Sequence, residues 1–303
     1  RQTRWQKPDI DLFEGKWRRY PLSAGSSMAD YRIGFKWWAL IIAVVFVISE
    51  FVCVTCVPER PVACDEKPGK ISDMFKALFK NDQAMTVVVS IILVYTSLNI
   101  CGNLVLYFFR FDVGNEGAYS IFAAVAFAAQ VLVMMVIPLL RKRFSKSQLF
   151  ISGFIIQIAG FAVILIMAFA KLYTPQSWYI LCLPGILIYL GYGMLNVIMT
   201  IFLSDSVDYG EVMNGTREES VIFSMQTFTV KLASGVAVFL AGLVVDWIHL
   251  DTAAAVQTQD TLDALRMWMT IPSVILLIVG IFVFKRFYKL DDTRMEEIKS
   301  KLN

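Results

Sequence analysis

Seven long apolar segments dominate the pattern of hydrophobic and polar positions, and short polar stretches separate them. Each segment has 18 to 28 residues, enough for an α-helix to cross about 30 Å of hydrocarbon at about 1.5 Å per residue. None shows the period-two alternation of a membrane β-strand. The sequence therefore predicts an all-α polytopic membrane protein with seven transmembrane helices. The segments are Trp37–Val57, Ala84–Phe109, Tyr119–Leu140, Leu149–Ala170, Trp178–Leu203, Val221–Ile248 and Met267–Phe284.

Composition agrees with a membrane protein and argues against several other classes. Hydrophobic residues are 57% and charged residues 17% of the chain, whereas soluble domains are about 25% charged. The net charge of +3 is small and its residues are dispersed, so no nucleic-acid partner is expected. The five cysteines do not read as a disulfide set. No cluster predicts a metal site, a cofactor or catalytic residues, so we do not expect an enzyme.

The distribution of basic residues predicts the orientation. The short loop Arg141–Lys146 is basic, which places it and the C-terminus in the cytoplasm. Seven spans then put residues 1–36 outside, although they carry eight Lys/Arg against four acids. This conflict predicts that further helices precede the chain and fix its orientation. The alternative is that the first segment does not span the membrane natively.

A lysine lies deep in the sixth segment, where an uncompensated charge is costly. At 100° per residue, Ser224, Thr227 and Lys231 share one face with Ser234, Gly235 and Gly242. This face predicts a cavity wall around a buried ammonium that needs an acidic partner; the alternative is a structural ion pair. Glu50 is the only acidic residue deep within an apolar segment. We expect it to bind a proton or cation; the alternative is a role in helix packing. The partner is otherwise expected on helices outside this chain.

Other membrane-embedded polar residues form a second stripe on the Ala84–Phe109 helix. Tyr95, Asn99 and Asn103 fall within about 100° of one another, with Gly102 between them. Amides and a phenol facing water suit a hydroxyl-rich ligand; the alternative is hydrogen bonding between helices. Asn196 adds one amide to the fifth helix. Glycines predict close helix approach or bending: Gly185, Gly191, Gly193, Gly235 and Gly242.

A charged stretch follows the fifth apolar segment. It begins Asp205-Ser206-Val207-Asp208-Tyr209-Gly210-Glu211 and continues Gly215-Thr216-Arg217-Glu218-Glu219-Ser220. We interpret it as a turn at the membrane face whose charges make and break ion pairs with Arg141, Lys142 or Arg143. The alternative is a solvated loop with no gating role.

These residues, followed by Ser224-Met225-Gln226-Thr227 and Lys231, resemble the glycoside–pentoside–hexuronide cation symporter family of the major facilitator superfamily. The resemblance is sharpest over Asp205–Lys231. It implies that the seven spans are helices six to twelve of a twelve-helix carrier. It also implies secondary transport of a sugar with Na⁺, Li⁺ or H⁺ by alternating access.

The resemblance carries over to individual residues. It implies that Lys231, Gln226 and Thr227 lie at the substrate and coupling site. It implies a cytoplasmic gate with charges at Asp205, Asp208, Glu211 and Arg217. Alternatives are a lipid or other solute as cargo on the same fold, or a membrane-embedded enzyme.

The resulting domain organisation has five parts. We expect a bacterial inner-membrane protein, monomeric when complete, whose partners are a sugar or glycoside, the coupling cation and the lipid bilayer. The parts are an extracytoplasmic polar and basic segment (1–36), the last helix of an N-terminal bundle (37–57), a cytoplasmic middle loop with an amphipathic helix (58–83), a six-helix bundle (84–288) and a cytoplasmic tail (289–303).

Overall fold

The computed structural model describes residues 28–56, 79–215, 219–252, 254, 256–290 and 292–302. The chain divides into two units, Arg1–Lys67 and Pro68–Asn303. Helix α1 (Met28–Cys56) belongs to the first unit. Most of the middle loop, including the core of its predicted amphipathic helix, lies outside the described residues.

Helices make up the described part of the second unit. Among the described residues, α1 and six helices of the second unit are long and apolar enough to cross a membrane, which confirms the predicted number of seven spans. The helices of the second unit are α2 (Asp82–Tyr107), continued by a π-helical turn (Phe108–Asp112), α3 (Ala118–Leu140), α4 (Lys146–Phe169), a 3₁₀ turn (Trp178–Leu181), α5 (Cys182–Asn214), α6 (Glu219–Trp247), α7 (Gln259–Phe287) and α8 (Asp292–Leu302).

Two helices extend well beyond the apolar segments that predict them. Helix α5 continues to Asn214, so Asp205–Asn214 is helical and the predicted turn at these residues is wrong. Gly215 ends the helix in the left-handed region at φ 73°, and its N–H donates to the Glu211 carbonyl. Helix α7 begins at Gln259 rather than Met267. Polar side chains in these added turns have protein partners, so a low local hydropathy does not end either helix.

Helices α2 and α5 organise the packing of the second unit. Helix α2 packs against α5, α6 and α7, while α5 also packs against α3 and α4. Reciprocal hydrogen bonds join α2 to α7: the Ser97 hydroxyl donates to the Ser273 carbonyl at 3.0 Å, and the Ser273 hydroxyl to the Ser97 carbonyl at 2.8 Å. The core between α4, α5 and α7 is aromatic, with Phe150, Phe202 and Phe284 in mutual ring contact.

Close helix approach depends on three of the five glycines singled out in the sequence, all on α5. A methyl group added at Gly185 or Gly191 would lie 2.5 Å from the Phe122 ring or the Gly153 carbonyl oxygen. One added at Gly193 would lie 2.6 Å from Val133. In contrast, no described atom lies within 4 Å of a methyl group added at Gly235 or Gly242 on α6. The prediction of close helix approach at these two glycines is therefore wrong.

We call the end of the bundle that carries the Arg141–Lys146 loop the basic end. A buried ion pair closes the opposite end. The Arg266 and Asp112 side chains are each 3% exposed, and Arg266 Nε donates to Asp112 Oδ2 at 2.9 Å. The Tyr173 hydroxyl donates to the same carboxylate. Burial and this hydrogen bond raise the pKa of Tyr173, which keeps its proton in place. This cluster ties α2, α7 and the α4–α5 connection together.

Removing the arginine should destabilise the bundle. Arg266→Met leaves the Asp112 carboxylate buried without its cation, at a cost of about 3–5 kcal/mol in the free energy of unfolding. Asp263→Asn is the matched control, because Asp263 pairs with the same arginine at 2.6 Å but is 39% exposed; its loss should cost under about 1 kcal/mol. Unfolding in detergent measures both, and equal losses would contradict a dominant Asp112 pair.

Candidate functional site

Helix α6 has three faces rather than the two read from the sequence. A face of mostly small side chains packs into the protein, with Thr229, Ala233 and Ala237 buried. A second face is apolar and exposed, including Phe228 and Leu232. On the third, the following residues are exposed: Ser224, Thr227, Lys231, Gly235 and Gly242. We call this third face the Lys231 face.

Lys231 is therefore an exposed ammonium within a membrane-spanning segment. No ion pair is found for it among the described residues. Glu50 lies on α1, in the other unit. Hydrocarbon cannot solvate this charge, so the Lys231 face must meet water or an acidic group.

The amide stripe of α2 is half-buried, with Gly102 exposed within it. The Asn99 amide donates to the Tyr95 carbonyl at 2.7 Å, and the Asn103 amide donates to the Asn99 carbonyl at 2.7 Å. These bonds stay within the helix, so the described contacts of the two asparagines do not join helices. They fix the amides along one line and leave the side-chain carbonyl oxygens without a described donor.

A chain of hydrogen bonds connects this stripe to α5 and α6. The Asn196 amide donates to the Tyr95 hydroxyl oxygen at 2.6 Å. One turn further along α5, the Thr200 hydroxyl donates to the Asn196 carbonyl at 3.2 Å. It accepts from the Gln226 amide at 3.3 Å. Gln226 thus faces α5 instead of sharing the exposure of Thr227 and Lys231. Sequence reasoning missed Thr200. Its spacing of four residues from Asn196 places both side chains on the same face of α5, and this spacing could have indicated it.

Three helices meet in a second polar cluster at the basic end. Lys146, at the start of α4, forms an ion pair with Asp205 on α5, and their side chains are 8% and 7% exposed. Asp292, at the start of α8, lies 3.5 Å from the Lys146 ammonium and 3.4 Å from the Arg141 guanidinium. The partner of Asp205 is therefore Lys146 rather than Arg141, Lys142 or Arg143. Arg143 is exposed.

The other predicted gate residues lie near this cluster along the chain. Asp208 and Glu211 are half-buried on the last turns of α5. Arg217 lies outside the described residues. Sequence reasoning missed Lys146 as a partner, but a lysine in the first turn of a helix is unfavourable with the helix dipole and signals a specific acid nearby.

The tail helix α8 packs on the same end. Leu290, Met295 and Ile298 are buried and form an apolar cluster with Tyr209 and other side chains. Burial, and then the Asp205 and Asp292 carboxylates, raise the pKa of Tyr288, which joins this cluster. The packing holds Asp292 in reach of Lys146 and Arg141.

No group of three or more His, Cys, Asp or Glu residues in the described parts of the chain could hold a metal ion. The side chains brought together are instead amides, hydroxyls and one ammonium on an open face, and ion pairs at both ends of the bundle. Amides and hydroxyls both donate and accept hydrogen bonds, so this face can make hydrogen bonds to a polar solute.

Known proteins match most of the chain. The "Uncharacterized symporter YjmB" of Bacillus subtilis (strain 168) is 24% identical over 274 residues, 90% of this chain and 58% of that protein. The Raffinose carrier protein of Pediococcus pentosaceus is 24% identical over 284 residues, 91% of this chain and 43% of that protein. The Isoprimeverose transporter of Lactiplantibacillus pentosus is 25% identical over 256 residues, 84% of this chain and 51% of that protein.

The chain thus spans about half the length of the curated relatives it matches. Their names are those of symporters, carriers and transporters rather than enzymes. A model of the family described as MFS/sugar transport protein matches residues 19–292. This match runs through all seven membrane-spanning helices. The chain therefore belongs to the MFS/sugar transport protein family.

Proposed function

We propose that this chain is part of a secondary transporter that carries a sugar or glycoside across a bacterial inner membrane by symport with Na⁺, Li⁺ or H⁺. The observation that carries the proposal is the Lys231 face, an exposed line of polar and small side chains on a membrane-spanning helix. A face of this kind is stable in a membrane only where it lines water or meets other polar groups. In this proposal it is the wall of the transport pathway.

Lys231 acts as the fixed cation of the coupling site. Its partner is a carboxylate from outside helices α2 to α7. A cation or proton that binds this carboxylate competes with Lys231 for it. Occupation by the coupling ion thereby changes the charge that the sugar meets, which links the two solutes.

The sugar is held by hydrogen-bonding side chains around Lys231. The Thr227 hydroxyl is exposed one turn from Lys231, and the Asn99 and Asn103 amides line the neighbouring helix. Gln226, Tyr95 and Asn196 form the wall behind them through their hydrogen bonds. Similar proteins are named for raffinose, isoprimeverose and lactose, and we propose sugars of this class as cargo. A lipid cargo would be better matched by apolar side chains beside Lys231.

The cluster of Lys146, Asp205, Asp292 and Arg141 acts as a cytoplasmic gate at the basic end. Its two innermost side chains are nearly fully buried and oppositely charged. Breaking such a pair is costly and remaking it restores the closed end, which suits two alternating states. Asp208 and Glu211, on the last turns of α5, extend this gate together with Arg217, which follows them in the sequence, and the C-terminus is cytoplasmic. The complete protein works as a monomer.

Lys231→Met in the full-length protein should abolish coupled sugar uptake. The substitution removes the fixed cation but keeps the length of the side chain. The uncompensated carboxylate costs about 3 kcal/mol or more, which corresponds to at least about a 100-fold loss of uptake. Uptake of radiolabelled lactose and raffinose into cells, with and without a Na⁺ gradient, measures the effect.

Leu232→Met is the matched control, because Leu232 is exposed on the apolar face of the same helix. It should leave uptake unchanged, and both variants should reach the membrane in equal amounts. Normal uptake in Lys231→Met would remove the central assignment.

Asp205→Asn should slow transport more than it weakens sugar binding. The substitution leaves Lys146 without its main counter-charge at the gate, whereas the sugar lies at the Lys231 face. A change of about 1.4 kcal/mol in the free energy of the closed state slows transport about tenfold. Sugar binding in detergent and flux in proteoliposomes measure the two quantities separately.

Lys142→Gln is the control for the gate. It removes a positive charge from an exposed position of the same loop, and should change neither quantity. Equal losses of binding and flux in Asp205→Asn would contradict a gating role.

A further inference from the structure

A cleft opens between α2 and α6 near the end of the bundle opposite the basic end. Its volume is about 510 Å³, within the usual range of about 300–1,000 Å³ for small-molecule sites. Helix α2 contributes Asn103 and Tyr107. Helix α6 contributes the rest of the lining, including Val238, Gly242 and Asp246.

The lining combines a carboxylate and an amide with the flat ring of Tyr107, and its remaining side chains are apolar. Asp246 is an exposed carboxylate, and Asn103 presents an amide whose N–H is already directed to Asn99. The Tyr107 ring stacks on Phe111 with an angle of 8° between the planes, which fixes its orientation. Carboxylate and amide oxygens accept from hydroxyl groups, while an aromatic face packs against the apolar side of a sugar ring.

Gly242 leaves space in the wall of the cleft. No atom lies within 4 Å of the position its Cβ would take, so any side chain there would enter the cleft. The residue follows Lys231 by 11 positions on the same face, which places it about 16 Å further along the helix axis. The cleft therefore lies beyond Lys231 along the helix, and it adjoins the proposed site around Lys231 at Asn103.

We propose that this cleft is a second sugar-binding site, an outer vestibule that a hydroxyl-rich solute occupies before it reaches Lys231. The inference rests on the proposed function, because the basic end must be cytoplasmic for the cleft to face outward. A lipid chain is the poorer occupant, since it would leave the Asp246 carboxylate against hydrocarbon. Asp246 and Asn103 bind the hydroxyls, and Tyr107 supports the ring.

Two open glycines on one helix face allow a direct test. Gly242→Cys reports on the cleft, and Gly235→Cys reports on the space one turn from Lys231; both positions admit a side chain without a clash. Each variant of the full-length protein is treated in membranes with a charged, membrane-impermeant methanethiosulfonate. Mass spectrometry of the α6 peptide follows the rate of labelling. Lactose, raffinose and isoprimeverose are the probes.

At a sugar concentration about ten times its Kd, labelling of an occupied site should slow about tenfold, because only the unoccupied fraction reacts. The proposal expects this protection at Gly242→Cys both with native Lys231 and after Lys231→Met. Protection at Gly235→Cys should vanish after Lys231→Met. Adding Asp246→Asn should remove protection at Gly242→Cys alone.

Each remaining outcome overturns a different statement. Protection at Gly242→Cys that disappears with Lys231→Met would show that the cleft only follows events at Lys231, and the vestibule would be wrong. Protection at Gly235→Cys alone would leave the proposed function standing without a second site. If no probe sugar protects either thiol and none is taken up, the proposed function fails and the vestibule with it.

Discussion

A polar side chain in a membrane-spanning helix is stable where it meets another polar group or water, because hydrocarbon provides neither. Most of the polar groups discussed above meet this constraint inside the bundle: Ser97 with Ser273, Arg266 with Asp112, and Lys146 with Asp205. Lys231 has no such partner among the described residues, and it is exposed. The same constraint that stabilises both ends of the bundle thus singles out the face that remains open. The proposed function is placed on that face because the charge of Lys231 has no ion pair among the described residues.

Two ways of using glycine separate the packed and the open parts of the bundle. On α5, Gly185, Gly191 and Gly193 allow neighbouring backbones and rings to approach where no side chain would fit. On α6, no described atom lies within 4 Å of the position that a Cβ would take at Gly235 or Gly242, so these glycines border open space instead of a helix contact. Helix α5 is therefore held on several sides, while α6 is held mainly through α2. The open space lies along the helix with fewer neighbours in the bundle.

The apolar pattern predicted the number of spans but not the ends of α5 and α7. Hydropathy reports transfer into lipid, whereas Asp205 and Arg266 are buried in protein against opposite charges. Helical periodicity placed Lys231 and Thr227 on one exposed face correctly, since that inference needs only 100° per residue. It could not reveal that Thr200 joins Asn196 to Gln226, or that Lys146 rather than Arg141 meets Asp205. Such contacts depend on how α2, α4, α5 and α6 cross, which a single helix does not encode.

Charge placement along the bundle gives the open face its direction. Paired charges lie at both ends, with Asp112 and Arg266 at one and Lys146 and Asp205 at the other. Between them lie the exposed ammonium of Lys231, which has no ion pair among the described residues, and the half-buried amides of α2. In the proposed pathway, a solute that enters from the end with Asp112 and Arg266 meets first the carboxylate of Asp246 and then the ammonium of Lys231, so the sign of the local charge reverses along its way. A neutral sugar tolerates this reversal, whereas a strongly charged solute is held at one of the two positions. The arrangement therefore favours the neutral, hydroxyl-rich solute that we propose, and the proposed coupling cation would be drawn to carboxylates rather than to the lysine.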